Sequence, residues 1–142
     1  MTLSGWQPTV HSFGKSDIGR HRKANEDAYF IDDSIRLFVV ADGMGGHAAG
    51  EIASGEAVDT VYGMVKRGLG SIGDLHASLD EDRARSACRL LESAIQAATY
   101  MVFGLAQFER DKSGMGTTIS CAIVIGDAFV TGQVGDSRIY RV

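Results

Sequence analysis

The chain has 142 residues, of which 44% are hydrophobic and 23% are charged, and it contains one proline. This composition predicts a single globular domain and excludes disordered and fibrous classes. The formal net charge of −4 argues against a nucleic-acid surface, because phosphate backbones are bound mainly through accumulated Lys and Arg. No apolar stretch approaches the roughly 18 residues that span a bilayer, and the first ten residues lack signal-peptide features, so we expect a cytoplasmic protein without a membrane partner.

The first elements predicted along the chain are short strands. Residues 10–14 are predicted to form one, and a polar, turn-rich segment follows over 16–27. The apolar runs AYFI at 28–31 and IRLFVVA at 35–41 are separated by DDS, whose turn chemistry predicts a β-hairpin. Because LFVVA is apolar at every position, we expect that strand to be buried on both faces.

Two helices are predicted next. Apolar residues recur at helical spacing over 48–67, although three glycines in this range each weaken helix propensity by about 1 kcal/mol and so suggest close packing. A flexible connection follows. Ser78 and Glu81 then match a capping box, and a long amphipathic helix is predicted up to residue 105.

The last part of the chain predicts strands again. Residues 117–134 are typical of two strands joined at Gly126–Asp127, and a tight polar turn leads to the start of a third. The order of strands, two helices and strands favours an α+β layered fold over an alternating βαβ fold.

Carboxylates stand at the ends of three predicted strands. Asp42 follows an apolar strand directly, with the Gly43 carbonyl beside it, and hard cations take oxygen ligands of both kinds. Glu26 and Asp27 stand just before the partner strand, and Asp136 follows another apolar strand and a glycine. Each residue alone is typical of a turn or a helix cap. Three such strand ends in one small domain indicate a candidate metal site.

Basic residues precede the acidic pair, at positions 20–23. They are compatible with a solvated turn, but an Arg beside a metal site can bind a phosphate oxyanion in two places. Metals with an arginine suggest phosphoryl chemistry. His47 is either a general acid or metal ligand, or an exposed residue at a helix start, since no second His or Cys lies at ligand spacing.

The glycines after the apolar strand also allow a dinucleotide-binding interpretation, through the spacing of Gly43, Gly45 and Ala48. The sequence argues against it. GLGSIGDLHAS follows the helix in place of an apolar second strand, and Asp42 before the first glycine would repel a pyrophosphate.

Four motifs resemble, in order, those of the bacterial metal-dependent serine/threonine protein phosphatases of type 2C. They are SDIG-x-x-R-x-x-NED at 16–27, ADGMGGHAAGE at 41–51, GMGTT at 114–118 and GDSR-x-Y at 135–140. The resemblance runs from about residue 10 to the end of the chain, and the ordered set is far more specific than any one motif.

The resemblance implies a fold and an activity. The fold is a four-layer α-β-β-α sandwich of antiparallel sheets flanked by helices. The activity is hydrolysis of phosphoserine and phosphothreonine on proteins with two Mn²⁺ or Mg²⁺ ions, and a third, weaker ion in bacterial members. The implied partners are phosphorylated protein substrates, with a Ser/Thr kinase opposing the reaction.

The resemblance also implies metal ligands. Asp42 would bridge the two metals, and Gly43 would offer its carbonyl to one of them. Asp27 would join through the metal's water shell, with Glu26 as a weaker candidate. Asp136 would help to hold the third metal.

Substrate and acid roles are implied at other positions. Arg22, at the R-x-x-N-[ED]-D spacing, would hold the substrate phosphate. Met44 stands where eukaryotic members carry a histidine proposed as general acid. His47 occupies the bacterial-type position, and its catalytic role stays open.

The family domain is roughly twice as long as this chain, and its later Asp-Gly and Gly-x-Asp-Asn motifs supply two further aspartates. We therefore expect residues 1–142 to be the N-terminal part of a single type 2C domain whose C-terminal part is absent and whose activity needs that part. The alternative is a non-catalytic phosphatase-like binding module. Half of a layered sandwich leaves an apolar face uncovered, so we expect a dimer or a fragment that requires a complementing partner.

Overall fold

The structure is a computed structural model and describes residues 8–46 and 48–142. It contains an antiparallel sheet with two helices packed on one face, and the predicted α+β class is therefore confirmed. The elements are β1 (Asp27–Asp32), β2 (Leu37–Met44), α1 (Ala49–Gly68), α2 (Glu81–Phe108), β3 (Gly116–Thr117), β4 (Ile119–Ile125) and β5 (Ala128–Val134), with short 3₁₀ turns at Leu69–Ser71 and Arg110–Lys112.

The sheet has the strand order β1-β2-β4-β5, and the two-residue strand β3 pairs with the end of β2. The predicted hairpin is confirmed, and its register runs from Asp32 opposite Leu37 to Asp27 opposite Asp42. The carboxylate of Asp32 accepts a hydrogen bond from the Ser34 amide at 2.9 Å, which fixes the turn. The second predicted hairpin joins β4 to β5 at Gly126, whose φ of 60° explains the glycine.

One apolar core lies between the sheet and the helices. The helix-facing residues of β2 and β4 are buried, and so are the alanines of α1, so this helix lies close to the sheet. The fully buried side chains at the centre of this layer are Leu37, Ala41, Ala53, Ala57, Val61, Val65, Ala87, Ala94, Ala98, Ile123 and Ile125.

The other face of the sheet is open among the described residues, and the expectation that the LFVVA strand is buried on both faces is wrong. Val40 is 50% exposed, while its neighbour Val39 is 1% exposed. Successive side chains of a strand point to opposite faces, and both helices lie on the same one. Tyr29, which pairs with Val40, is also exposed on the open face, and so is Phe129 on β5.

Three local predictions also differ from the structure. Residues 10–14 and 138–142 lie outside the strands, and the Gly14 carbonyl instead accepts a hydrogen bond from the Tyr29 hydroxyl at 3.2 Å. Asp80, not Ser78, caps α2, because its carboxylate accepts a hydrogen bond from the Arg83 amide at 2.7 Å.

Neither helix in the described ranges is long and apolar enough to cross a bilayer.

Candidate active site

Two carboxylates face each other at one end of the first hairpin. Asp27 begins β1 and lies directly opposite Asp42 near the end of β2. Side chains opposite each other on adjacent antiparallel strands have Cβ atoms about 5 Å apart, so the two carboxyl groups are within reach of each other. The neighbouring Asp42 carboxyl acts on the ionisation of Asp27.

This juxtaposition changes the ionisation of Asp27. Loss of water at the strand end, then the hydrogen bond to Asp42 and its negative charge, raise the pKa of Asp27 above the ordinary value of 3.8. The positive charge of Arg22 acts in the opposite direction. The pair therefore resists carrying two negative charges unless a cation is supplied.

Hydrogen bonds between backbone amides and polar side chains hold both acidic residues in place. The Asp27 amide donates to Asn25 Oδ1 at 3.0 Å, and Asn25 Nδ2 donates to Ser16 Oγ at 2.6 Å. The Asp42 amide donates to Thr118 Oγ1 at 3.0 Å. Both acids therefore stand on a strand end whose position is fixed from two sides, which a site for a small ion requires.

The glycines after Asp42 let three pieces of backbone meet. A Cβ on Gly43 would lie 2.7 Å from the carbonyl oxygen of Glu26 and still closer to that of Gly50, which is in the first turn of α1. The Gly43 amide donates to the Glu26 carbonyl at 3.1 Å. No side chain fits between these backbones, so glycine is required where the strand passes the helix start.

Five of the predicted site residues line one cleft, which has a volume of about 670 Å³. The cleft brings Arg22 and Asp136 to the same space as Asp42. Asp27 lines an adjoining hollow, where Asp42 also contributes to the wall. The residues that line the cleft are Arg22, Glu26, Asp42, Gly43, Met44, Thr117, Thr118, Gly135 and Asp136.

The structure does not bring all the predicted ligands into one cluster. Within residues 8–46 and 48–142, no group of three or more His, Cys, Asp or Glu side chains is arranged to hold a metal ion. His47 lies outside the described residues. Its neighbour Ala48 has φ 64°, a left-handed conformation that an alanine rarely adopts. The arrangement thus offers the carboxylates of Asp42 and Asp136, the backbone of Gly43 and the Arg22 guanidinium around one cleft. The Asp27 carboxyl lies in the adjoining hollow.

The hydroxyl groups of Thr118 and Ser137 also contribute to the site, and the sequence did not predict this. Thr118 Oγ1 lies 2.8 Å from Ser137 Oγ and also accepts the Asp42 amide, so it joins two parts of the cleft wall. GMGTT and GDSR-x-Y were the available signals, but neither motif reveals which backbone groups the hydroxyls contact.

Comparison with known sequences identifies relatives for nearly the whole chain. Residues 14–142 match the profile of the family described as Protein phosphatase 2C. Serine/threonine protein phosphatase PstP of Mycobacterium tuberculosis is 39% identical over 126 residues, which are 89% of this chain and 21% of that protein. Serine/threonine phosphatase stp of Listeria welshimeri is 34% identical over 134 residues, which are 92% of this chain and 49% of that protein.

Solved structures give the same result. The crystal structure of the Mycobacterium tuberculosis serine/threonine phosphatase PstP/Ppp has a TM-score of 0.69 and 33% identity, and the match covers 87% of this chain and 46% of that one. A structure of the PstP catalytic domain in complex with two manganese ions matches with the same score and identity over 87% of this chain and 47% of that one. This chain therefore spans about half the length of these solved domains.

Replacement of Gly43 by alanine tests the close approach of the backbones. Gly43→Ala is expected to lower the free energy of unfolding by about 2 to 3 kcal/mol, because the new methyl group meets main-chain atoms that cannot rotate away. A Cβ on Gly46 would have no neighbour within 4 Å, so the matched Gly46→Ala change should cost less than about 0.5 kcal/mol. Urea unfolding measures the change in the free energy of unfolding for each variant. Equal losses of stability in Gly43→Ala and Gly46→Ala would contradict the close packing at Gly43.

The acidic pair predicts a pH dependence of stability. Because the folded chain raises the pKa of Asp27, the contribution of this group is full below its ordinary pKa of 3.8 and is lost as pH rises through the raised value. Asp27→Asn removes that loss, so the stability of the variant relative to the unchanged chain should increase as the pH rises above about 4. Thermal unfolding in EDTA measures the difference. Asp59→Asn, at an exposed position of α1, is the control, and a pH-independent difference for Asp27→Asn would refute the repulsion.

Proposed function

The chain belongs to the protein phosphatase 2C family, and from this premise we propose that it takes part in metal-dependent hydrolysis of phosphoserine and phosphothreonine on proteins. The observation that supports the proposal most strongly is the pairing of Asp27 with Asp42 beside a cleft that also contains Arg22. The relatives named as serine/threonine phosphatases supply the substrate class. We further propose that residues 1–142 are the N-terminal part of one catalytic domain.

The oxygen donors at the strand ends fit divalent metal ions. Two carboxylates whose negative charges repel each other, with a backbone carbonyl at Gly43, are ligands that Mg²⁺ and Mn²⁺ accept. Asp42 and Gly43 would contact the ions directly, Asp27 would act through their water shell, and Glu26 would be a weaker ligand. When bound, such ions lower the pKa of a water and stabilise negative charge on phosphoryl oxygens.

The donors of this chain fit only part of a two-metal site. The described residues contain no cluster of three or more candidate ligands, and Asp136 shares the cleft without joining the Asp27–Asp42 pair. We propose that Asp136 helps to hold a third ion. The remaining ligands of the first two ions would come from outside this chain, in the part of the domain that the longer relatives possess.

Arg22 is the proposed phosphate-binding residue. It lines the cleft with Asp42, and its charge acts on Asp27, so it lies near the place where ions would bind. A guanidinium presents two parallel N–H donors to a phosphate, which orients the oxyanion as well as attracting it. Phosphorylated proteins are therefore the proposed substrates, and a Ser/Thr kinase is the proposed opposing enzyme.

Binding of Mn²⁺ and turnover can be measured separately. The 142-residue chain is expected to bind Mn²⁺ in an electron paramagnetic resonance titration, while Asp42→Asn loses that binding and the control Asp59→Asn keeps it. The same chain should show little or no Mn²⁺-dependent hydrolysis of a phosphothreonine peptide, because the donors in the part of the chain that the structure describes do not complete the site. Absence of Mn²⁺ binding would sink the metal proposal. Robust turnover that Asp42→Ala abolishes would show that no further ligands are needed.

A non-catalytic binding module is the second candidate, and the incomplete ligand set in the described ranges favours it. In that case the chain should bind a phosphothreonine peptide equally well with and without EDTA. Arg22→Ala should abolish binding, whereas Arg20→Ala, in the same exposed segment, should not. Fluorescence anisotropy measures this, and no binding at millimolar concentration would count against the module.

A further inference from the structure

We infer that Thr118 is a positioning residue, whose hydroxyl ties the strand end that bears Asp42 to the turn that bears Asp136. The hydrogen bonds of the Thr118 hydroxyl are observed in the structure. The consequence for metal binding rests on the proposed function. Thr118 lies between β3 and β4, opposite Asp42, and it is far from that residue in sequence.

The hydroxyl of Thr118 replaces a backbone acceptor. In a regular antiparallel ladder, every second pair of facing residues exchanges two N–H to O=C hydrogen bonds, one in each direction. Here the Thr118 amide donates to the Asp42 carbonyl at 2.9 Å, but the Asp42 amide donates to Thr118 Oγ1 at 3.0 Å. The Thr118 carbonyl instead accepts a hydrogen bond from Thr117 Oγ1 at 2.9 Å. At Asp42 the side chain of Thr118 therefore takes the place of a backbone carbonyl in the hydrogen-bond ladder.

The same hydroxyl reaches the second part of the cleft wall. Thr118 Oγ1 and Ser137 Oγ are 2.8 Å apart, and the Ser137 carbonyl accepts a hydrogen bond from Gln133 Nε2. These bonds fix the residue that follows Asp136. One oxygen atom thus contacts the backbone of one proposed ligand and the immediate neighbour of another.

The methyl group of Thr118 completes the link. Gly135 has φ 101°, and a Cβ on it would lie 2.7 Å from Thr118 Cγ2. The turn before Asp136 therefore lies directly on the threonine side chain. Threonine supplies both the methyl that supports this turn and the hydroxyl that bonds on either side of it.

Three variants separate the hydroxyl from the shape of the side chain. Thr118→Val keeps the packing beneath Gly135 and removes the hydroxyl, whereas Thr118→Ser restores the hydroxyl. Thr131→Val makes the same chemical change at an exposed position of β5. All are made in the 142-residue chain.

Two readouts test the inference. In the metal-free chain, amide ¹H–¹⁵N spectra should show that Thr118→Val shifts the signals of Asp42, Asp136 and Ser137 together, and that Thr118→Ser brings them back. In a Mn²⁺ titration, Thr118→Val should weaken binding about tenfold, as is typical when a group that orients a metal ligand is lost. Thr118→Ser should recover most of that affinity, and Thr131→Val should lose none.

Several results would overturn the inference. They are unchanged amide signals on either side of the link in Thr118→Val, Mn²⁺ affinity equal to that of the unchanged chain, or an equal loss in Thr131→Val. If the unchanged chain binds no Mn²⁺, the proposed function fails, and the amide signals alone decide the role of Thr118. If Thr118→Val does not fold, Ser137→Ala removes the outer bond only, and it should shift the Asp42 amide signal across the link; an unshifted Asp42 signal would refute the link.

Discussion

The pairing of β1 with β2 holds the carboxyl groups of Asp27 and Asp42 opposite each other, and this like-charge contact governs the site. Such a contact opposes folding near neutral pH. It is maintained because the same register places Leu37 and Val39 in the core, where each is at most 1% exposed, so separating the acids would require moving buried side chains. We propose that a pair kept in this way is prepared for a cation, whose binding would remove the repulsion between the two carboxylates.

The glycines beside this pair place the start of α1 against the end of β2. Gly43 and Gly50 allow the two backbones, and that of Glu26, to come closer than any side chain would permit. Each glycine within a helix weakens it by about 1 kcal/mol, so the close packing of small residues against the sheet compensates for a poor local propensity. The start of α1 then lies next to the acidic residues Glu26 and Asp42, where the positive end of the helix favours negative charge.

Much of the fold could be predicted from local patterns. The turn after Asp32, the turn at Gly126 and the amphipathic period of α2 are short-range signals, and all three were confirmed. The predicted N-cap of α2 was wrong because Ser and Asp both suit that position, and only the conformation of the folded loop decides between Ser78 and Asp80. The prediction that β2 is buried on both faces was wrong because an apolar sequence does not show whether one or both faces of a strand are covered. Motif order placed five site residues in one cleft, but the role of Thr118 depends on a register between distant segments that no local pattern encodes.

We propose that Asp27 and Asp42 form one side of a divalent metal site. Anomalous diffraction from crystals of the chain grown with Mn²⁺ tests it most directly, because the signal locates the ion without reference to activity. We expect an anomalous peak in contact with the Asp42 carboxylate, on the side of the cleft that Arg22 and Asp136 line. Crystals that contain Mn²⁺ elsewhere on the chain, with no peak at Asp42, would contradict it.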